Sequence, residues 1–125
     1  MGIDIYAQWD GQSEEEQNEQ YAAAFSTGAG GIGYLREAYH GEPYATRYLM
    51  PEAFEDGDGA SIPAATLRGR LPETLRLVEL RERQLYGETN TEEMAPVLDS
   101  FIRFVELCEW MEKATGKPVR IIASW

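Results

Sequence analysis

Ile3-Asp4-Ile5-Tyr6-Ala7-Gln8-Trp9 alternates apolar and polar side chains, with Ile3, Ile5, Ala7 and Trp9 on one face, before Asp10-Gly11 breaks the pattern. A period of two marks a half-buried strand, because successive side chains of an extended chain point to opposite sides. The same period returns at the other end, where Val119, Ile121, Ala123 and Trp125 alternate with Arg120, Ile122 and Ser124. Two such strands flanking a largely helical middle predict an α+β fold. They pair in one small sheet, packed against a long C-terminal helix and one or more further helices, in a single domain over residues 1–125.

Working inward, Ser13 and Glu16 have capping-box spacing, and Glu14, Glu15 and Glu16 fill a first turn whose dipole favours acids; a helix over 14–25 follows. Gly28, Gly30, Gly31 and Gly33 end regular structure. Residues 44–50, which run into Pro51, read equally as a strand or a short helix. Pro63 opens a short helix to about Arg70, and Pro72 begins a second that Gly87 terminates. In that second helix Leu75, Val78, Leu85 and Tyr86 form one stripe and Leu77 and Leu80 another, a pattern suited to burial between two layers. The last helix carries capping-box spacings at Thr89/Glu92 and Asn90/Glu93, and stops at Gly116-Lys117-Pro118. Pro96 kinks or trims its first turn. Met94, Val97, Leu98, Phe101, Phe104, Val105, Cys108 and Met111 give it a broad apolar face, and Trp110 lies off that face.

A chain of 125 residues with 43% hydrophobic content can bury one core. Its net charge is -11, and residues 1–33 carry six acids and no lysine or arginine. Such a field repels nucleic acid and anionic membranes, so direct binding to either is disfavoured. Apolar runs are far shorter than a membrane span, and the acidic start lacks a basic-then-apolar leader, which places the chain in the cytoplasm. The single cysteine, Cys108, excludes a disulfide framework, and its place on an apolar stripe reads as an inert buried thiol.

The stretch Tyr34-Leu-Arg36-Glu-Ala-Tyr39-His40-Gly-Glu-Pro-Tyr44-Ala-Thr-Arg47-Tyr48 holds four of the seven tyrosines and the lone histidine. Tyrosine buries a ring while its hydroxyl seeks a partner, so the cluster is either internally bonded or a recognition surface. Tyr34, Arg36, Tyr39, His40, Tyr44 and Arg47 are the candidate ligand-binding residues. A guanidinium supplies a planar fork for carboxylate or phosphate, but Glu37 and Glu42 lie close by as internal ion-pair partners. A ligand site requires the six side chains to converge on one concave pocket. His40 as a general base needs a nucleophile or paired acid beside it, and no complete catalytic set surrounds it in the sequence.

Other motifs are weaker. Gly28-Ala-Gly30-Gly31-Ile-Gly33 matches GxGxxG, but the alanine-rich Tyr21–Phe25 before it is no buried β-branched strand; a close-turn loop is the reading. Asp56-Gly-Asp58-Gly starts like a calcium loop, yet Ser61 and Leu67 occupy the positions that need glycine and glutamate. Residues 55–61 therefore read as a turn-like surface loop. No metal ligand set and no cofactor is expected. The arginines from 68 to 83 suit an acidic partner or ordinary helix-surface pairing, as at Glu79 and Arg83. Trp110 and Trp125 are the candidate interface residues, because large rings outside a core stripe cover another element or another subunit.

The start Met1-Gly-Ile-Asp-Ile-Tyr6 with Trp9-Asp-Gly11, the segment Gly33-Tyr-Leu-Arg-Glu-Ala-Tyr-His-Gly41 with Pro43-Tyr-Ala-Thr46, and the ending Ala123-Ser-Trp125 resemble a group of small bacterial and phage-associated proteins. The resemblance covers most of the chain. It implies a bacterial or phage cytoplasmic setting and brings no catalytic residue, ligand or fold. The expectation is a small acidic non-enzymatic protein that acts by protein contact, as a homodimer or with an unidentified protein partner. Two other readings stay open: a small-molecule binding protein or enzyme using residues 34–48, and an acidic inhibitor that imitates nucleic acid.

Overall fold

The computed structural model describes residues 2–23, 29–39, 41–55, 57–86 and 91–125. Gly28, His40, Asp56, the Gly87 stop, the Thr89 and Asn90 caps and the end of the first helix beyond residue 23 lie outside the described residues, as do the side chains of Leu85 and Tyr86.

The terminal strands pair as expected. β1 (Gly2–Gln8) runs antiparallel to the C-terminal strand β4 (Val119–Ser124), with Asp4 opposite Ser124 and Gln8 opposite Arg120. They form the centre of a four-stranded antiparallel sheet, flanked by β2 (Tyr34–Ala38) beside β1 and β3 (Ala60–Ile62) beside β4. Neither flanking strand shows an apolar alternation. In β2 the inward side holds Leu35 and then Glu37, and β3 is only three residues long and begins inside the 55–61 segment that reads as a loop, whose last two residues are thus strand.

One face of the sheet is dry. Ile3, Ile5, Ala7, Leu35, Ile62, Val119, Ile121 and Ala123 are all buried on it. Phe101, Phe104, Val105 and Cys108 of the long helix α4 (Thr91–Thr115) belong to the same core. So do Leu67, Leu71 and Val78 of α3 (Ala64–Tyr86), Leu49 of the short helix α2 (Ala45–Leu49), and Met50 and Ala53 beside it. Each fully buried Val, Leu, Ile, Phe or Met among them contributes roughly 1.5–3 kcal/mol of transfer free energy, so this face dominates the stability. Residues 44–50 thus contain a helix rather than a strand.

Two expectations are corrected. Residues 63–86 do not form two helices: α3 runs through Pro72 without a break. A proline inside a helix deprives the carbonyl four residues back of its donor. Here that residue is Arg68, and both Pro72 and Arg68 are exposed, so the lost bond falls on the solvent side. The two-layer burial of α3 also fails, since Leu77 is partly buried but Leu80 remains 44% exposed. Pro96 likewise sits within α4, five residues after its start, on the exposed side.

The start of α3 is tied to α4, because the Ala64 backbone N–H donates to Glu112 Oε2 at 2.7 Å. α1 (Glu14–Ala22) begins with the reciprocal Ser13–Glu16 capping box. Its Gln20 donates from Nε2 to the carbonyl oxygens of Ala7 and Ile32, each at 2.9 Å. The glycine-rich segment serves packing. At Gly30 a Cβ would stand 1.8 Å from the Ser100 carbonyl oxygen of α4, and the Gly30 N–H donates to Ser100 Oγ at 3.1 Å. Gly33 enters β2 with φ of +92°, a region open to glycine. Among the described residues no helix is long and apolar enough to cross a membrane.

Candidate functional site

The sheet's other face carries the polar half of each strand. Asp4 stands opposite Arg36, and Tyr6 opposite Tyr34. Asp4 Oδ1 accepts two charge-assisted hydrogen bonds, from Tyr34 Oη at 2.5 Å and from Arg36 Nη1 at 2.7 Å. The Tyr34 ring is fully buried, 5.4 Å from that of Tyr6, which in turn lies 5.3 Å from Tyr21 of α1. Burial, reinforced by the Asp4 charge, pushes the Tyr6 phenol above its ordinary value. Burial works against the charge on Arg36, but its hydrogen bonds to Asp4 and Tyr34 outweigh that and raise its pKa. The raised Tyr6 phenol stays protonated near neutral pH, which suits packing rather than proton transfer.

The candidate ligand residues divide at Glu37. This side chain points to the helical side of β2, where Oε2 accepts from the Ala45 N–H at 2.9 Å and Oε1 accepts from the Thr46 N–H at 2.9 Å and from Thr46 Oγ1 at 2.6 Å. It caps α2 from the side of β2 opposite Arg36, whose ion pair is with Asp4. Beyond the strand Tyr39 is 47% exposed, and His40 lies outside the described residues. Tyr44 and Arg47 belong to a second cluster. The Arg47 guanidinium carbon stands 4.6 Å from the Phe54 ring centre, 5.8 Å from that of Trp125 and 5.9 Å from that of Tyr44. Phe54 and Trp125 pack ring to ring at 5.2 Å. Arg47 Nε is buried and meets no hydrogen-bond acceptor among the described residues. Tyr44 Oη accepts from the Gly41 N–H at 3.1 Å.

Tyr34 and Arg36 therefore share one face of the sheet, while Tyr44 and Arg47 join Phe54 and Trp125 beside α2. Sequence distance hid the roles of Asp4, Glu37 and Phe54. Asp4 becomes visible only once β1 and β2 are in register, and Glu37 looks like a surface acid until α2 is placed beside it.

Trp110 is 72% exposed on the outer side of α4. Exposed Glu106 and Lys113 lie one helical turn to either side of it. On the inner side Cys108 is buried, which pushes its thiol up to about 12 and removes thiolate chemistry at neutral pH. The α3 arginines are taken up internally: Arg68 by Glu109, Arg70 by Glu52, Arg76 by Glu73 and Arg83 by Glu79, while Arg81 donates to the Gly41 carbonyl oxygen. Among the described residues no group of three or more His, Cys, Asp or Glu side chains is placed to hold a metal ion.

Comparison with protein-family models, with curated proteins and with solved structures finds no match. What the fold defines is a small α+β protein, its sheet dry on one face and its helices carrying exposed aromatic rings.

Proposed function

We propose that this chain is a small acidic, non-enzymatic protein that acts by protein contact, and that it pairs with a second copy of itself through the outer face of α4. The observation that carries this reading is Trp110, a large ring left 72% exposed on that face in the C-terminal part of the helix. Tryptophan is the side chain most enriched among residues that dominate binding energy, because its ring buries a large area at low entropic cost. The face is also self-complementary. A two-fold axis near Trp110 sets two α4 helices antiparallel, so that Glu106 of one copy meets Lys113 of the other, and the reverse. Arg47 with its aromatic neighbours has the composition of a binding hot spot and offers a second contact region. The setting assigned is cytoplasmic, which suits a single buried free thiol. Its bacterial or phage origin rests on the sequence resemblance.

Sedimentation velocity over a concentration series up to about 100 μM tests the pairing. The expected result is a dimer that Trp110→Ala converts to monomer. Glu106→Lys and Lys113→Glu should each weaken it, and the double exchange should restore it. A wild-type chain monomeric throughout the series would overturn the reading.

A further inference from the structure

At the end of the sheet where β1 stops and β4 begins, an open cleft of about 440 Å³ is lined by Gln8, Trp9, Asp10, Ser61, Lys117 and Arg120, among others. This volume lies in the range that holds small organic ligands. The sheet register aligns its floor: Gln8 of β1 faces Arg120 of β4, and Arg120 faces Ser61 of β3. An amide, a guanidinium and a hydroxyl thus stand in one row across three adjacent strands. Neighbouring strands are about 4.8 Å apart, so the row spans roughly 10 Å, about the length of a ring bearing one substituent. These groups sit on hydrogen-bonded strands rather than on a loop, which fixes their spacing before any ligand arrives.

The charge of the cleft runs against that of the chain. Two cations, Lys117 and Arg120, line it against one carboxylate, Asp10, in a protein of net charge -11. Asp10 is bound to Lys117 at 3.0 Å in a pair whose side chains are each 72% exposed, so solvent screens it and an incoming anion can displace it. Arg120 donates from Nη2 to the Asp58 carbonyl oxygen, and no carboxylate pairs with it among the described residues. Most of its donor fork is therefore uncommitted. The Gln8 and Ser61 side chains form no hydrogen bonds among the described residues. Trp9 also lines a smaller hollow with Glu16, Leu107 and Met111, so this residue separates the two spaces.

We infer that this cleft binds a small planar organic anion. The oxyanion is held by Arg120 with Lys117 beside it, Gln8 and Ser61 bond polar groups on the ligand body, and its ring lies against Trp9. Neither the α4 contact nor Trp110 takes part, so this site stands or falls independently of the dimer.

The test is NMR titration of the full chain, read at the backbone amides of Gln8, Ser61 and Arg120 and at the Trp9 indole N–H, with Trp110 and Trp125 as internal controls. The probes are 4-hydroxybenzoate, adenosine monophosphate, 4-hydroxybenzyl alcohol and inorganic phosphate. At least one ring-bearing anion is expected to give saturable shifts confined to the cleft, and Arg120→Met to weaken it about tenfold or more, as loss of a charge-assisted fork does. Arg120 is exposed, so that variant should retain the native spectrum elsewhere. Arg120→Lys should restore part of the affinity. The inference is overturned if neither ring-bearing anion saturates, if the neutral alcohol or inorganic phosphate binds as well as they do, or if Arg120→Met leaves binding unchanged.

Discussion

Tyr34 and Asp4 join β2 to β1 through a 2.5 Å hydrogen bond, and the accepting oxygen is the one that also binds Arg36. One carboxylate oxygen thus satisfies a buried phenol and a largely covered guanidinium. Removing it breaks the hydrogen bond to Tyr34 and the ion pair to Arg36 together, so Asp4→Ala should cost about 2–3 kcal/mol, whereas Tyr34→Phe removes only the first and should cost about 1 kcal/mol. Urea unfolding of the two variants checks the order. Equal and negligible losses would show that the cluster does not hold the strands together.

Gly30 predicts a sharper contrast. A methyl group there would meet the Ser100 carbonyl oxygen at 1.8 Å, while at Gly31 the nearest atom, in the Arg103 side chain, is 3.8 Å away. Gly30→Ala must push the turn off α4 and should destabilise by about 2 kcal/mol or more. Gly31→Ala should stay within about 0.5 kcal/mol. Thermal unfolding of this pair separates a glycine needed for close approach from one that is merely adjacent, and with it a packing loop from a phosphate loop.

The terminal strands and the core face of α4 were legible because each obeys one period over many residues. What the sequence hid follows from local exceptions to those periods. β2 breaks the alternation because Glu37 occupies an inward position, where α2 supplies backbone donors that remove the penalty of placing a carboxylate there. α3 runs through Pro72 because the proline falls on the exposed side, so a residue that usually starts a helix sits inside one. The tyrosine-rich stretch reads as one site along the chain, but a strand followed by a turn sends Tyr34 and Arg36 to the outer face and Arg47 to Phe54 and Trp125. The partners of this stretch, Asp4 and Trp125, come from opposite ends of the sequence, and only the sheet brings them together.

Glu37 offers a test of α2 itself. Its carboxylate accepts two backbone N–H groups and one hydroxyl at the helix start, so Glu37→Ala should cost about 2 kcal/mol and release α2 before the rest of the fold. Amide exchange at Ala45 and Thr46 should quicken well before that of β4. Uniform quickening across the sheet would count against a local capping role.

Acid should weaken the fold through two ion pairs. Hydrogen bonding from Arg70 holds the Glu52 carboxyl below its ordinary value of 4.5, and Arg68 does the same for Glu109. A folded pKa below the unfolded one gives stability that is fully present above the unfolded value and lost as pH falls through the folded one. Unfolding free energy should therefore hold from neutral pH to near 4.5 and fall below it. Glu52 is 38% exposed, so solvent screening limits its share to about 0.5 kcal/mol. Glu52→Gln should lower stability at neutral pH by that amount and flatten the acid decline, as read by urea titrations at stepped pH. An unchanged acid slope in the variant would remove the pair from the account.

Cys108 reports on the seam between α4 and the sheet. With its thiol pushed up to about 12, the fraction ionised at pH 8 is on the order of one in ten thousand, and burial also blocks the attacking reagent. Iodoacetamide at pH 8 should label the native chain only as fast as it opens, and should label the urea-unfolded chain at the rate of an ordinary thiol. Gly30→Ala loosens α4 at Ser100, two turns from Cys108, and should speed native labelling, while Gly31→Ala should leave it unchanged. Rapid labelling of the wild-type native chain would mean that α4 does not seal this face of the sheet.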